Sequence, residues 1–165
     1  MKIFAFAGIS GSGKTHLIQN LIQELKKREY TVSVIKHCPH GFDLEAQGKD
    51  TAKFVQAGAD TACMYSPDGF AVLRQKKRDL DVRKITSHYL PYSDFVLVEG
   101  DKTDKTLKKI EIMRKGISKE MICSPEELIA VVSDFNVGID KPVFHPDKIK
   151  AIANFLETQP CEKEP

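Results

Sequence analysis

The run KIFAFAG, residues 2–8, is apolar almost throughout and ends in glycine. That is the pattern of a strand covered on both faces. It is followed by THLIQNLIQELKKR, residues 15–28, in which Leu17, Ile18, Leu21, Ile22 and Leu25 fall on one side of a 3.6-residue repeat, so the spacing predicts a helix. A second strand is expected in YTVSVIKH, residues 30–37. The loop CPHGFDLEAQGK then leads to a short helix, DTAKFVQAG, in which Gly58 would act as the C-cap. DTACMYS and FAVLRQ, on either side of the turn PDG, predict a hairpin. Helical spacing returns in DLDVRKITSHYL, which stops before Pro91.

Three further strands are expected in DFVLVEG, KKIEIMRKG and ELIAVVSD, and a last helix in HPDKIKAIANFLE, residues 145–157. Strands alternating with helices predict an α/β fold with a mostly parallel sheet flanked by helices, the hairpin being an antiparallel insertion. The length of 165 residues predicts a single domain over residues 1–158. Residues 159–165 read as a frayed tail.

Composition narrows the classes. With 41% hydrophobic and 29% charged residues, the chain is neither disordered nor a membrane protein. The apolar N-terminus breaks into a glycine-rich loop and then charge, which argues for a buried first strand over a signal peptide. A net charge of +2, with both signs interspersed, gives no basis for a nucleic-acid or membrane surface. The four cysteines show no CxxC spacing, so free thiols in a reducing cytoplasm are expected.

The sharpest chemical signal is GISGSGKT, Gly8 to Thr15, which fits the phosphate-binding pattern GxxxxGK[ST] between a predicted strand and a predicted helix. Glycines allow the backbone to curl around a phosphate, with the amides of Gly11, Ser12, Gly13, Lys14 and Thr15 turned toward its oxygens. The helix start adds partial positive charge. Lys14 would reach the β and γ phosphates, and the Thr15 hydroxyl would ligate Mg²⁺. A plain glycine turn would not require the Lys-Thr pair.

Such a loop needs an acid near the magnesium, and Glu99, closing the four apolar residues 95–98, is the candidate; the plain alternative is an ordinary polar residue at a strand end. In VVSD, Asp134 would accept from the N1 and N2 hydrogens of guanine and repel the N1 acceptor of adenine, or else cap the next turn. HCPH, residues 37–40, offers soft ligands, but adjacent residues alternate sides of a strand, Pro39 stiffens the step, and no fourth ligand is evident. Nor does a third group stand near to orient a Cys/His nucleophile.

The loop, together with IKHCPHGFDLEAQGKD, AGAD, LVEGDK, KIEIMRKG and LIAVVSD, in order from residue 2 to about residue 157, resembles the MobB family of molybdopterin-guanine dinucleotide biosynthesis adapter proteins. The resemblance implies a P-loop NTPase fold, a homodimer, GTP binding with Mg²⁺, and weak GTP hydrolysis. It also implies a cytoplasmic adapter that assists a MobA-type nucleotidyltransferase joining molybdopterin to GMP, with molybdopterin itself a further candidate ligand. By motif position it carries over Gly8, Gly11, Ser12, Gly13, Lys14, Thr15, His16, Lys36, His37 and Asp134 as nucleotide-site residues, and Thr15 and Glu99 as metal ligands. Lys14, Asp43, Asp50 and Glu99 are the expected catalytic residues, with Asp43 or Asp50 orienting water or Mg²⁺; Lys49 is a further member of their loop.

The stretch after the second strand then reads as a loop that could move over a γ-phosphate, with Cys38 incidental. His16 stands where the family usually has a second threonine, and Asp101 replaces the usual aromatic. The alternative is a small P-loop kinase transferring a phosphoryl group to a small acceptor. It would need lid arginines, for which Arg74, Arg78 and Arg83 are the candidates, although they also read as a solvated charge run.

Overall fold

In the computed structural model of the chain, residues 1–41, 49–74 and 80–161 are described. β1, Lys2–Ala7, is buried from Ile3 onward and is a central strand of a six-stranded sheet. A strand with neighbours on both sides and both faces buried has no polar surface to meet. That accounts for an apolar run without alternation. β5, Phe95–Glu99, pairs with β1 in parallel, Lys2 opposite Phe95 and Phe6 opposite Glu99. β2, Val32–Lys36, flanks β5 and forms one edge of the sheet, with Lys36 in register with Glu99.

On the other side of β1 run β6, Lys109–Met113, then β7, Leu128–Ser133, then the two-residue β8, Val143–Phe144, all parallel. The resulting order is β2-β5-β1-β6-β7-β8. β8 goes beyond the sequence reading, because two residues are too few to display any period.

α1, Lys14–Lys27, buries Leu17, Ile18, Leu21 and Leu25, with Ile22 packed partly buried beside them. These side chains share a core with Phe4 and Phe6 of β1, Phe95 and Leu97 of β5, and Ile152, Ala153 and Leu156 of α4, Ile149–Thr158. Burying a Leu or Phe of this kind stabilises by about 1.5–3 kcal/mol, which makes this layer the main support of the loop between β1 and α1. Arg28, at the end of α1, clamps that layer by donating to Glu24 at 2.7 Å, Asn154 at 2.7 Å and Glu157 at 2.9 Å. α4 begins four residues later than the apolar spacing suggests. A turn in which Lys148 N–H donates to the His145 carbonyl, just past Pro146, precedes it.

Two charged side chains of β6 are fully buried. Lys109 donates to the Lys102 carbonyl at 2.8 Å and pairs with Glu127 at 3.3 Å. Glu111 accepts the N–H groups of Ile122 at 2.7 Å and Cys123 at 3.0 Å. Buried charge persists only when hydrogen-bonded in this way. Burial also pushes the Cys123 thiol up to about 12, and the nearby Glu111 carboxylate adds to the effect.

The chain divides into two units, residues 1–37 with 85–165, and residues 38–84. The second contains α2, Lys49–Gln56, and the antiparallel pair β3, Thr61–Ser66, and β4, Gly69–Arg74, a separate two-stranded sheet with a small core of Val55, Ala62 and Leu73. Gly58 does close α2. At φ 109° it donates to the Val55 carbonyl while Ala59 donates to that of Phe54, the paired bonds of a Schellman motif. α3, Val82–Tyr89, begins in the second unit and continues into the first. Among the described residues no helix is long and apolar enough to cross a membrane.

Candidate functional site

The loop from Gly8 to Gly13 joins the carboxyl end of β1 to α1, and three of its positions demand glycine. Gly8, Gly11 and Gly13 have φ of 153°, 78° and 94°. A Cβ on Gly8 would stand 2.6 Å from Ser12 Oγ and 2.7 Å from the Ile112 carbonyl oxygen, so the loop is folded tightly against β6 there. Gly13 is the N-cap of α1 and has no side chain to cap the helix. The first bond into the helix runs from Leu17 N–H to the Gly13 carbonyl at 3.0 Å. The amides of Lys14, Thr15 and His16 thus have no backbone acceptor among the described residues, and open amides at a helix start are donors for an anion. Ser12 Oγ is buried and lacks a hydrogen-bond partner. An orphaned hydroxyl inside a polar loop is a donor awaiting an acceptor.

Lys14 and Thr15 complete the arrangement. Lys14 Nζ donates to the carbonyls of Gly8 at 2.9 Å and Ile9 at 2.8 Å, which keeps the ammonium over its own loop. Burial lowers its pKa, Glu99 pulls the other way, and Lys36 lowers it further. Thr15 Oγ1 donates to Glu99 Oε1 at 2.8 Å. A hydroxyl and a carboxylate meeting beside a cationic anion cradle are hard oxygen donors suited to Mg²⁺. Glu99 stands at the carboxyl end of the buried strand β5, within hydrogen-bond reach of Thr15.

The remaining sequence candidates fall as follows. His37 N–H donates to the Glu99 carbonyl at 3.0 Å, so Lys36 and His37 extend β2 alongside the acid. Gly100, at φ 91°, would bring a Cβ to 3.6 Å from His37 Cβ. Past His37 the chain leaves the strand, and Gly41 N–H closes a turn onto the Cys38 carbonyl. Among the described residues no three His, Cys, Asp or Glu side chains converge as metal ligands. Asp43 lies outside the described residues. Asp50 belongs to the second unit, exposed on α2 and paired with Lys53 at 3.2 Å. Of the arginines weighed for a kinase lid, Arg74 ends β4, Arg83 lies in α3, and Arg78 is outside the described residues.

A cavity of about 590 Å³ adjoins the loop, with Gly13, His16, Leu17, Met113, Asp134 and Pro146 among its walls. His16 Nε2 is 3.2 Å from Asn20 Nδ2, within α1. Asp134 Oδ1 accepts the N–H of Lys115 at 2.7 Å, so it neither caps its own turn nor lies free; it anchors the loop after β6. One residue in this wall escaped the sequence reading. Arg114, directly after β6, also lines the cavity, with Nη1 3.5 Å from the point where a Cβ on Gly13 would stand. In sequence it is one more basic residue of MRKG, and only the register of β6 beside β1 could have placed it at the loop.

Residues 3–134 match the family profile described as molybdopterin guanine dinucleotide synthesis protein B. The chain belongs to the MobB family. It is 31% identical over 163 residues to the molybdopterin-guanine dinucleotide biosynthesis adapter protein of Escherichia coli, covering 93% of this chain and 90% of that one. To the protein of the same name from Haemophilus influenzae it is 30% identical over 156 residues, covering 94% and 87%. A crystal structure of molybdopterin-guanine biosynthesis protein B superposes with a TM-score of 0.73 at 27% identity, over 94% of this chain and 98% of that one. Bacillus subtilis MobB, at 21% identity, shares the fold with a TM-score of 0.72, over 98% of this chain and all of that one. The MobB fold is thus the α/β architecture with a mostly parallel sheet and a hairpin insertion described above.

Proposed function

We propose that this chain is a GTP-binding adapter of molybdopterin guanine dinucleotide synthesis. It works with Mg²⁺ beside a MobA-type nucleotidyltransferase that joins molybdopterin to GMP, and any hydrolysis of GTP is slow. The observation that carries the reading is the Thr15–Glu99 hydrogen bond of 2.8 Å at the mouth of the Gly8–Lys14 loop, in a chain whose relatives bear the adapter's name.

The triphosphate would lie along the loop, against the open amides of α1 and the Ser12 hydroxyl. Lys14, now held by two carbonyls, would exchange them for phosphate oxygens, a charge-assisted contact stronger than the one it leaves. Thr15 Oγ1 and the Glu99 carboxylate would hold Mg²⁺, which when bound neutralises charge between the β and γ phosphates. Lys36 and His37, flanking Glu99, add positive charge and shape to that edge. An adapter gains from such a site because a bound nucleotide can fix one conformation for a partner to recognise. The working form on this reading is a cytoplasmic homodimer.

The test is capture of a MobA-type nucleotidyltransferase on the immobilised full chain, with and without GTP and Mg²⁺, alongside a nucleotide titration. Retention of the partner, with GTP preferred over ATP, is expected. Preference for ATP with rapid phosphoryl transfer to an acceptor would replace the adapter by a kinase.

A further inference from the structure

The main chain at Arg114 is held on both sides, by its N–H and by its carbonyl, while the side chain is exposed. The N–H donates to Ser118 Oγ at 3.0 Å, and the carbonyl accepts the N–H groups of Ile117 at 3.1 Å and Ser118 at 2.8 Å, in a turn that passes through Gly116 at φ 78°. The next residue, Lys115, is tied to Asp134 Oδ1 at 2.7 Å. One short segment thus fixes the backbone that carries Arg114 and the carboxylate of Asp134 on the cavity wall. Among the described residues, neither the Arg114 guanidinium nor Asp134 Oδ2 has a hydrogen-bond partner.

We propose that Arg114 is the guanine-selecting residue of this cavity, donating to O6 and N7 of the base while Asp134 Oδ2 accepts from N1 and N2. The assignment rests on the nucleotide reading given above. The chemistry is complementary on both edges. Arginine carries only donors and an ionised aspartate only acceptors. Guanine offers paired acceptors at O6 and N7, the commonest partner of arginine at base edges, and donors at N1 and N2. Adenine keeps the N7 acceptor but sets a donor at N6 in place of O6 and an acceptor at N1, so Arg114 would gain one bond against one like-group clash and Asp134 would face an acceptor. The apolar wall of Leu17, Met113 and Pro146 suits a planar ring, and the volume suits a nucleoside.

The test is titration of the full chain with GTP, ATP and inosine triphosphate in the presence of Mg²⁺, for the parent, Arg114→Met, Asp134→Asn and Lys14→Ala. Arg114→Met keeps the aliphatic stem at an exposed position and is expected to weaken GTP between about fivefold and a hundredfold, the range of one bidentate base contact. ATP binding should be unchanged. Asp134→Asn retains a carbonyl for Lys115 and should narrow the gap between GTP and ATP, while inosine triphosphate, lacking N2, should feel that change less than GTP does. Equal losses for GTP and ATP in Arg114→Met would make Arg114 a phosphate contact and overturn the proposal, as would no loss at all. If Lys14→Ala bound GTP like the parent, or the parent bound no nucleotide, the underlying reading would fall as well. Lys14-dependent binding that ignores Arg114 would remove this inference alone.

Discussion

Thr15 Oγ1 and Glu99 Oε1, 84 positions apart in sequence, meet at 2.8 Å where β5 ends beside the start of α1. The parallel register of β1 with β5 creates the meeting, since Phe6 opposite Glu99 sets the acid level with the loop that leaves β1. Replacing Glu99 by Gln keeps the shape and removes the charge. GTP binding is expected to survive, with its Mg²⁺ dependence reduced by about tenfold or more, because a divalent cation prefers an ionised oxygen ligand. Titration at several Mg²⁺ concentrations reads this out, and an unchanged dependence would take Glu99 out of the site.

Lys14→Ala should abolish nucleotide binding and leave the circular dichroism and melting curve of the fold in place, since the ammonium contacts only its own loop. The pH profile carries a second check. With its pKa lowered from 10.5, chiefly by burial, Lys14 loses its charge at a lower pH than an ordinary lysine. Phosphate affinity is therefore expected to fall as pH rises through that lowered value. In the interval between it and the unfolded-state value, folding releases a proton and stability rises with pH. The two trends have opposite sign in the same alkaline window, which separates a binding effect from unfolding.

Glu111→Gln tests the buried carboxylate of β6. The amide retains one acceptor for Ile122 or Cys123 and turns an NH₂ toward the other amide. A loss of about 2 kcal/mol is expected, the range for breaking hydrogen bonds to a buried charged group. Urea unfolding should show a lower midpoint at unchanged slope.

Asp94 joins the starts of β2 and β5, its Oδ2 accepting the N–H of Thr31 at 2.8 Å and its hydroxyl at 2.6 Å. The side-chain bond from Thr31, followed by the backbone one, lowers its pKa below 3.8. A depressed carboxylate contributes its stability in full above the unfolded-state value and loses it as pH falls through the native one. Asp94→Asn should therefore flatten the decline in melting temperature below about pH 4. A decline as steep as in the parent would assign the acid sensitivity elsewhere.

Much of this was legible in the chain itself. An apolar run, a glycine loop and an amphipathic helix in direct succession specify β1, α1 and the cradle between them, because each signal is local. Glu99 could be singled out only together with the glycine loop, since an acid ending four buried residues is by itself as readily an ordinary polar strand end. The buried Lys109 and Glu111 were hidden, as KIEIM reads as a strand with one polar face. What meets that face is mostly backbone, the Lys102 carbonyl and the amides of Ile122 and Cys123, with the Glu127 carboxylate beside Lys109, and no periodicity encodes such partners. Asp134 was found for its type, but its hold on Lys115 depends on β6 and β7 lying side by side. Arg114 needed that register and the Gly13 contact together.

The burial of Cys123 has a practical consequence. Cys38 is half-buried, and Cys63 and Cys161 are exposed, while Cys123 is enclosed with its thiol at about 12. Thiolate is the reacting species, so an alkylating reagent at neutral pH will modify the accessible thiols first and reach the fourth only through molecules that open. Because that residue also touches the Glu111 network, its slow alkylation acts as a clock for opening around β6, and any ligand that steadies the neighbouring loop should slow it.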